Sequence, residues 1–259
     1  MNIEDFLPKY PNINKSEYDI LNTYDTEFND TIFRKKEFYD ERLDEVENLP
    51  SEKGTLMKHQ KIISRFLSSH TMYDELLLIH EMGSGKTCSA IGAIEEIKRE
   101  SKTIKGAYIF AGGETLLNNF VKELRDKCTA GEYVPEGHIV DGESKLSEGE
   151  LKQRSRKLFE TYYHIKFGEK KHTTFQLFAK HLSELKDNDI VNMYSNNIIV
   201  IDEVHNLREY EYEDGNEKIG VYNQFHRFLH LVKNSKILLL SGTPMNSYFI
   251  LTKYEFFLI

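Results

Sequence analysis

The chain has 259 residues, 39% hydrophobic and 29% charged, which suits one large globular domain with an appendage or two small domains. A net charge of −8 excludes a global basic field for nucleic acid, so such binding requires a local patch. The longest apolar runs fall far short of the ~20 residues that span a bilayer, and Met1–Phe6 has neither the basic start nor the apolar stretch of a secretory signal.

Two cysteines, Cys88 and Cys128, match no metal-ligand spacing. The expectation is a soluble intracellular protein with reduced thiols and no membrane contact. With no Trp, 16 Phe and 15 Tyr supply the aromatic volume of the core.

Residues 1–50 are polar and acidic with interleaved aromatics, and Pro8 and Pro11 extend the first dozen. Helical spacing of Ile32, Phe33, Phe38 and Leu43 predicts a helix within Phe28–Leu43, so this region reads as a helical and extended arm packed on the domain behind it. The segment 50–54 is a boundary by composition, which gives an arm at 1–50 and a domain at 51–259.

From Leu56 the pattern alternates. Helices are predicted over Leu56–Leu67, Thr87–Arg99, Leu116–Leu124, Phe175–Leu185 and Val221–Val232, with a solvated helix over Glu148–Lys157. Short apolar strands are predicted at Leu76–Ile79, Ala107–Ala111, Ile198–Ile201 and Ile237–Leu240, with a further one at Tyr162–Phe167. Buried strands alternating with amphipathic helices imply an α/β fold: a mainly parallel sheet covered on both faces.

Two motifs close predicted strands. The first, Gly83-Ser84-Gly85-Lys86-Thr87, is a glycine-rich turn opening a helix. Backbone N–H groups of such a turn point into one concavity capped by the positive helix end, which suits phosphate. Gly83 and Gly85 allow close approach, Met82, Ser84 and Cys88 flank them, Lys86 reaches the β- and γ-phosphates, and the Thr87 hydroxyl ligates Mg²⁺. His80 stands where the general pattern has its first glycine. The second motif, Asp202-Glu203-Val204-His205, ends the strand Ile198–Ile201. There Asp202 holds the metal and Glu203 orients the attacking water. Paired acids after a strand are common without function, and gain meaning beside the lysine turn.

Ser241-Gly242-Thr243-Pro244 follows the strand Ile237–Leu240, and in a parallel sheet its hydroxyls open on the same edge as the acids. Ser241 and Thr243 could hydrogen-bond Asp202, Glu203 or His205 and sense the nucleotide state. Gln60 could read an adenine edge. Gly112-Gly113 and Thr173-Thr174 could offer N–H and hydroxyl groups to a nucleic-acid phosphate, although plain loop structure is the better account of each by itself.

In this order the blocks around Gln60, His80–Thr87, the segment after Ala111, Asp202–His205 and Ser241–Pro244 resemble the motifs of superfamily 2 helicases, in the Snf2-like and DExH branches. The wording is similar to helicase-like ATPases of poxviruses and other large DNA viruses, including early transcription factor and NTPase I types. The resemblance implies a RecA-like P-loop domain and ATP with Mg²⁺ as cofactors. It also implies nucleic acid as partner, DNA ahead of RNA, in a virion or a host cytoplasmic factory.

Family members carry a second RecA-like domain whose arginines reach the γ-phosphate. The expectation is therefore the ATP-binding half of a translocase in viral transcription or replication, binding MgATP and hydrolysing it weakly by itself. Two other readings stay open: a module whose arm recruits RNA polymerase or other transcription proteins, and the motor subunit of a restriction or remodelling complex.

Overall fold

A computed structural model describes residues 36–39, 54–69, 71, 73–80, 83–140, 143–165, 174–207, 211–214, 217–242 and 257–258. Most of the predicted arm lies outside these residues, as do Met82, Thr173 and Thr243. Within the arm, helix α1 (Lys36–Tyr39) places Phe38 in the core, its ring centroid 6.3 Å from that of Phe66 on α2 (Lys58–Phe66).

Strands β1 (Glu75–Ile79), β2 (Ala107–Phe110), β5 (Tyr163–His164), β6 (Ile198–Ile201), β9 (Lys236–Ser241) and β10 (Phe257–Leu258) form one sheet in the order β10-β1-β9-β6-β2-β5. All five pairings are parallel. Two hairpins stand apart, β3 (Ile139–Val140) with β4 (Glu143–Ser144), and β7 (Glu211–Asp214) with β8 (Glu217–Gly220).

Alternation along each strand sorts the core into two layers, because successive side chains leave a strand on opposite faces. Leu76, Leu78, Ile109, Ile198, Val200, Leu238 and Leu240 join one layer. That layer is covered by α2, α3 (Lys86–Glu100), α4 (Glu114–Asp126) and α5 (Glu148–Phe159). Phe110, Ile199, Ile201, Ile237 and Leu239 enter the other, beneath α6 (Phe175–Glu184), α7 (Asp187–Tyr194) and α8 (Val221–Leu231). The second layer is aromatic: Phe178 meets Phe110, Phe225, Phe228 and Tyr194 at centroid distances of 4.2–5.5 Å. Both faces being buried explains why the strands are continuous apolar runs rather than half-polar ones.

The predicted mainly parallel sheet with helices on both faces is the observed one, with differences of detail. Helix α5 is not fully solvated: Leu151, Ser155 and Phe159 turn inward, and Ser147 caps it with Glu150 as its reciprocal partner. Of the strand expected at Tyr162–Phe167, the described residues show Tyr163–His164, and residues 166–167 lie outside them. Helix α7 and both hairpins were not expected.

The thiols also differ from expectation. Cys88 and Cys128 form a disulfide with Cα atoms 5.2 Å apart. Their sequence separation of 40 hid the pairing, which arises because the start of α3 packs beside the end of α4.

Strand β9 enters the sheet on a buried cation. The Lys236 ammonium donates to the carbonyls of Ser68 (3.1 Å) and Tyr73 (2.9 Å) and pairs with Asp74 (2.9 Å). No helix among the described residues is long and apolar enough to cross a membrane.

Candidate functional site

The C-terminal ends of β1 and β6 open onto one cleft of about 450 Å³, within the size range of ligand sites. Gly83 to Cys88 line one side, Asp202 and Glu203 another, Gln60 with Thr55 and Met57 a third, and α4 closes it. The lysine turn and the paired acids, far apart in sequence, thus face the same space.

The turn has the backbone such a site needs. Gly83 and Gly85 sit at φ +87° and +83°, a region that penalises any side chain. A Cβ on Gly85 would also come within 2.5 Å of the Gln60 amide nitrogen. Gly85 starts α3 without a side-chain cap, so the first-turn N–H groups of a 15-residue helix face the cleft with no intrahelical acceptor. Those groups and the helix dipole make the turn attractive to anions.

Gln60 serves the turn directly. Its amide nitrogen donates to the Gly85 carbonyl (3.2 Å), and its oxygen accepts from the Met57 N–H (2.9 Å). One N–H and one lone pair of that amide remain for anything entering the cleft. Lys86, only 9% exposed, donates to the carbonyl of His80 at 3.1 Å. The His80 side chain, standing where the general pattern has glycine, is displaced toward its neutral form by burial and then by His59 and Lys86.

The acids are held at the sheet edge. Asp202 continues β6, its N–H donating to the Phe110 carbonyl at 2.8 Å. Its carboxylate accepts the Glu203 N–H at 3.0 Å. Burial first, then the Glu203 charge, raises the Asp202 carboxyl from 3.8 to about 6, against an opposing pull from Lys86. Glu203 itself has φ +52°, a left-handed backbone that non-glycine residues adopt at a cost of ~1–3 kcal/mol and mostly at functional sites.

That turn aims Glu203 at the end of β9. Glu203 Oε2 accepts the Gly242 N–H at 3.1 Å and lies 3.3 Å from His205 Nδ1. The same His205 nitrogen is 3.1 Å from the hydroxyl of Ser241, which is fully buried. The His80 N–H donates to the Ser241 carbonyl at 3.2 Å, so β1, β6 and β9 meet at one knot of hydrogen bonds.

Of the remaining candidates, Thr174 sits beside Ala111 through a parallel bridge and starts α6, but it is buried (8% exposed). Gly112 lies against Phe175 and Asn206, whereas the Cα of Gly113 faces open space at the start of α4. These residues cluster at the end of β2, away from the lining of the cleft.

Reasoning from motifs missed the α4 wall. Asn119, Glu123 and Lys127 line the cleft at intervals of one helical turn, beside Leu116 and Phe120. Their i, i+4 spacing next to the buried stripe was the available signal. The Glu123 charge reaches Asp202 and adds to the rise of its carboxyl.

Comparisons place this arrangement among known proteins. The chain is 35% identical over 254 residues to a protein named as a helicase in Invertebrate iridescent virus 3, covering 94% of this chain and 23% of the relative. It is 36% identical over 190 residues to a protein likewise named in Frog virus 3, covering 73% and 18%. The chain thus spans about a fifth of the length of these relatives. Among solved structures it is similar to the Sulfolobus solfataricus SWI2/SNF2 ATPase core in complex with dsDNA. That likeness has 18% identity and a TM-score of 0.42, over 77% of this chain and 34% of that one. The family model described as "Type III restriction enzyme, res subunit" matches residues 53–246. The chain belongs to that family, and with its viral helicase relatives and its parallel sheet it is a RecA-like N-terminal domain of the superfamily 2 helicase kind.

Proposed function

We propose that the cleft binds MgATP and that the chain is the ATP-binding part of a helicase-type ATP hydrolase moving along nucleic acid, in viral transcription or replication. The observation that carries this reading is the meeting of Lys86 and Thr87 with Asp202 and Glu203 in one cleft at the carboxyl edge of a parallel sheet.

The residues fit a magnesium ion. A hydroxyl from Thr87 and a carboxylate from Asp202 are hard oxygen donors. The Asp202 carboxylate is short of protein donors and crowded by Glu203, a deficit that a divalent cation relieves. When bound, Mg²⁺ neutralises charge on the β- and γ-phosphates.

The chain's own groups do the rest. The first-turn amides of α3 and the Lys86 ammonium hold the triphosphate, and the remaining Gln60 valences bond the base edge. Glu203 orients the attacking water with the oxygen not held by Gly242. The link from Glu203 through His205 to Ser241 reports the state of the phosphates to the end of β9.

In the resembling helicases, arginines of a second lobe complete the site, and such a finger is worth about 10³–10⁵ in rate. The 259-residue chain is therefore expected to bind MgATP and to hydrolyse it feebly. The test is titration with a fluorescent ATP analogue, followed by ATP hydrolysis with and without DNA or RNA. Lys86→Ala should weaken binding by tenfold or more, roughly the value of one charge-assisted contact. Absence of MgATP binding would sink the nucleotide reading, and robust turnover lost in Lys86→Ala would sink the need for a second lobe.

The family description favours one variant, in which the chain belongs to a restriction-type motor. Hydrolysis in a longer chain stimulated by duplex DNA alone would support it.

A further inference from the structure

One wall of the cleft carries chemistry that nucleotide hydrolysis does not use. Cys88 directly follows Thr87 in the first turn of α3 and lines the cleft. Cys128 lies just past α4, its N–H donating to the Glu123 carbonyl at 2.9 Å. The bond between them ties the helix that opens the phosphate turn to the helix forming the opposite wall. A Glu123 carboxylate oxygen lies within 4.8 Å of both sulfurs and itself lines the cleft. The two ends differ in access: Cys128 is 6% exposed and buried in the core, whereas Cys88 is partly exposed where the cleft opens.

We propose that Cys88–Cys128 is a reversible thiol–disulfide modification site in the wall of the nucleotide cleft, opened by a dithiol reductant that a bound nucleotide shuts out. The inference rests on the nucleotide reading of the same cleft. A thiolate of the reductant attacks Cys88 Sγ, the sulfur reachable from solvent. The S–S bond breaks and its electron pair leaves on Cys128 Sγ, which takes up a proton. The second thiol of the reductant then displaces Cys88 from the mixed disulfide, and Cys88 Sγ is protonated in turn.

Two electrons pass in total: the dithiol becomes a disulfide and the protein gains two thiols. Exchange with an oxidised small-molecule disulfide runs the same steps backward. Because Cys88 lines the cleft and Cys128 is buried, phosphates seated on the first turn of α3 would cover the approach to Cys88. Reduction in turn frees the start of α3 from the end of α4.

The experiment uses the full chain and MgADP, which binds without turnover. After exposure to oxidised glutathione, differential alkylation and mass spectrometry should find Cys88 linked to Cys128. Dithiothreitol should reduce the bond, and saturating MgADP should slow that reduction by about fivefold or more, since exchange rates follow access to the attacked sulfur. In Cys128→Ser, MgADP should slow alkylation of the lone Cys88 thiol to a similar degree.

Two free thiols after oxidised glutathione would overturn the inference. So would reduction at an unchanged rate while a fluorescent-analogue titration shows the site filled, an outcome that leaves the nucleotide reading intact. If that titration shows no nucleotide binding in either redox state, the nucleotide reading falls and takes the shielding with it.

Discussion

Two carboxylates in this molecule are almost equally sheltered, Glu95 on α3 at 8% exposure and Asp202 after β6 at 9%, yet the fold treats them in opposite ways. One Glu95 oxygen accepts hydroxyl hydrogens from Tyr133 and Tyr163, each at 2.6 Å, and the other accepts from Lys98 at 3.4 Å. Burial first, and Glu95 next, push both tyrosine hydroxyls up, which keeps them in the donor form beside that carboxylate. Asp202 receives one backbone N–H and faces a second acid.

A buried acid with a full set of donors fastens its surroundings, here joining α3 to the segments holding Tyr133 and Tyr163. A buried acid left short of them is held ready for a partner from outside the chain. The burial is the same, and only the supply of donors separates fastener from site.

The sharpest way to break this contrast is Glu95→Ala. It leaves the Tyr133 and Tyr163 hydroxyl hydrogens without their buried acceptor, while Lys98 keeps Glu132 at 3.3 Å, and should cost about 3–5 kcal/mol in urea unfolding. A loss under ~1 kcal/mol would mean the Glu95 cluster is ornamental.

Asp202→Asn should act with the opposite sign. The folded protein holds a proton on Asp202 up to about pH 6 where the ordinary value is 3.8. Its ionisation therefore costs nothing below about pH 4, an increasing amount between there and pH 6, and a constant amount above. At about pH 8 the amide should stabilise the nucleotide-free protein by up to ~3 kcal/mol, with the gain gone near pH 4, while Mg²⁺-dependent nucleotide binding collapses. A destabilised Asp202→Asn at about pH 8 would remove the argument that this acid is strained.

Tyr133→Phe, which takes one of the two hydroxyls from Glu95, is the mildest of the three. It should lose about 1–2 kcal/mol and leave nucleotide affinity untouched.

Much of this was legible in the sequence because it is local. Ile198–Ile201 and Ile237–Leu240 are short unbroken apolar runs, and only a strand buried on both faces uses such a run. The lysine turn and the acid pair are readable for the same reason: each is a contiguous block at a strand end.

What stayed hidden is non-local or lacks contrast. Helix α7 shows only Ile190 and Tyr194 as buried residues in a polar stretch, so its period is too sparse to see. Strand β7, Glu211–Asp214, carries three acids and no aliphatic residue. The insertion of β9 between β1 and β6 depends on pairing across long stretches of chain, as does the Cys88–Cys128 bond. The α4 wall was missed because Asn119, Glu123 and Lys127 look like ordinary surface residues until α3 is placed beside them.

The ammonium beneath β9 bears on how that strand keeps its place in the sheet. Three oxygens grip Lys236 at the base of the strand, while its far tip, Ser241, belongs to the knot that joins β1 and β6. A one-residue slide of the strand would draw that cation away from all three oxygens, a loss that opposes any shift of the ladder in register. The strand is thus pinned at both ends, by the cation at its start and by the Ser241 contacts beside Glu203 at its tip.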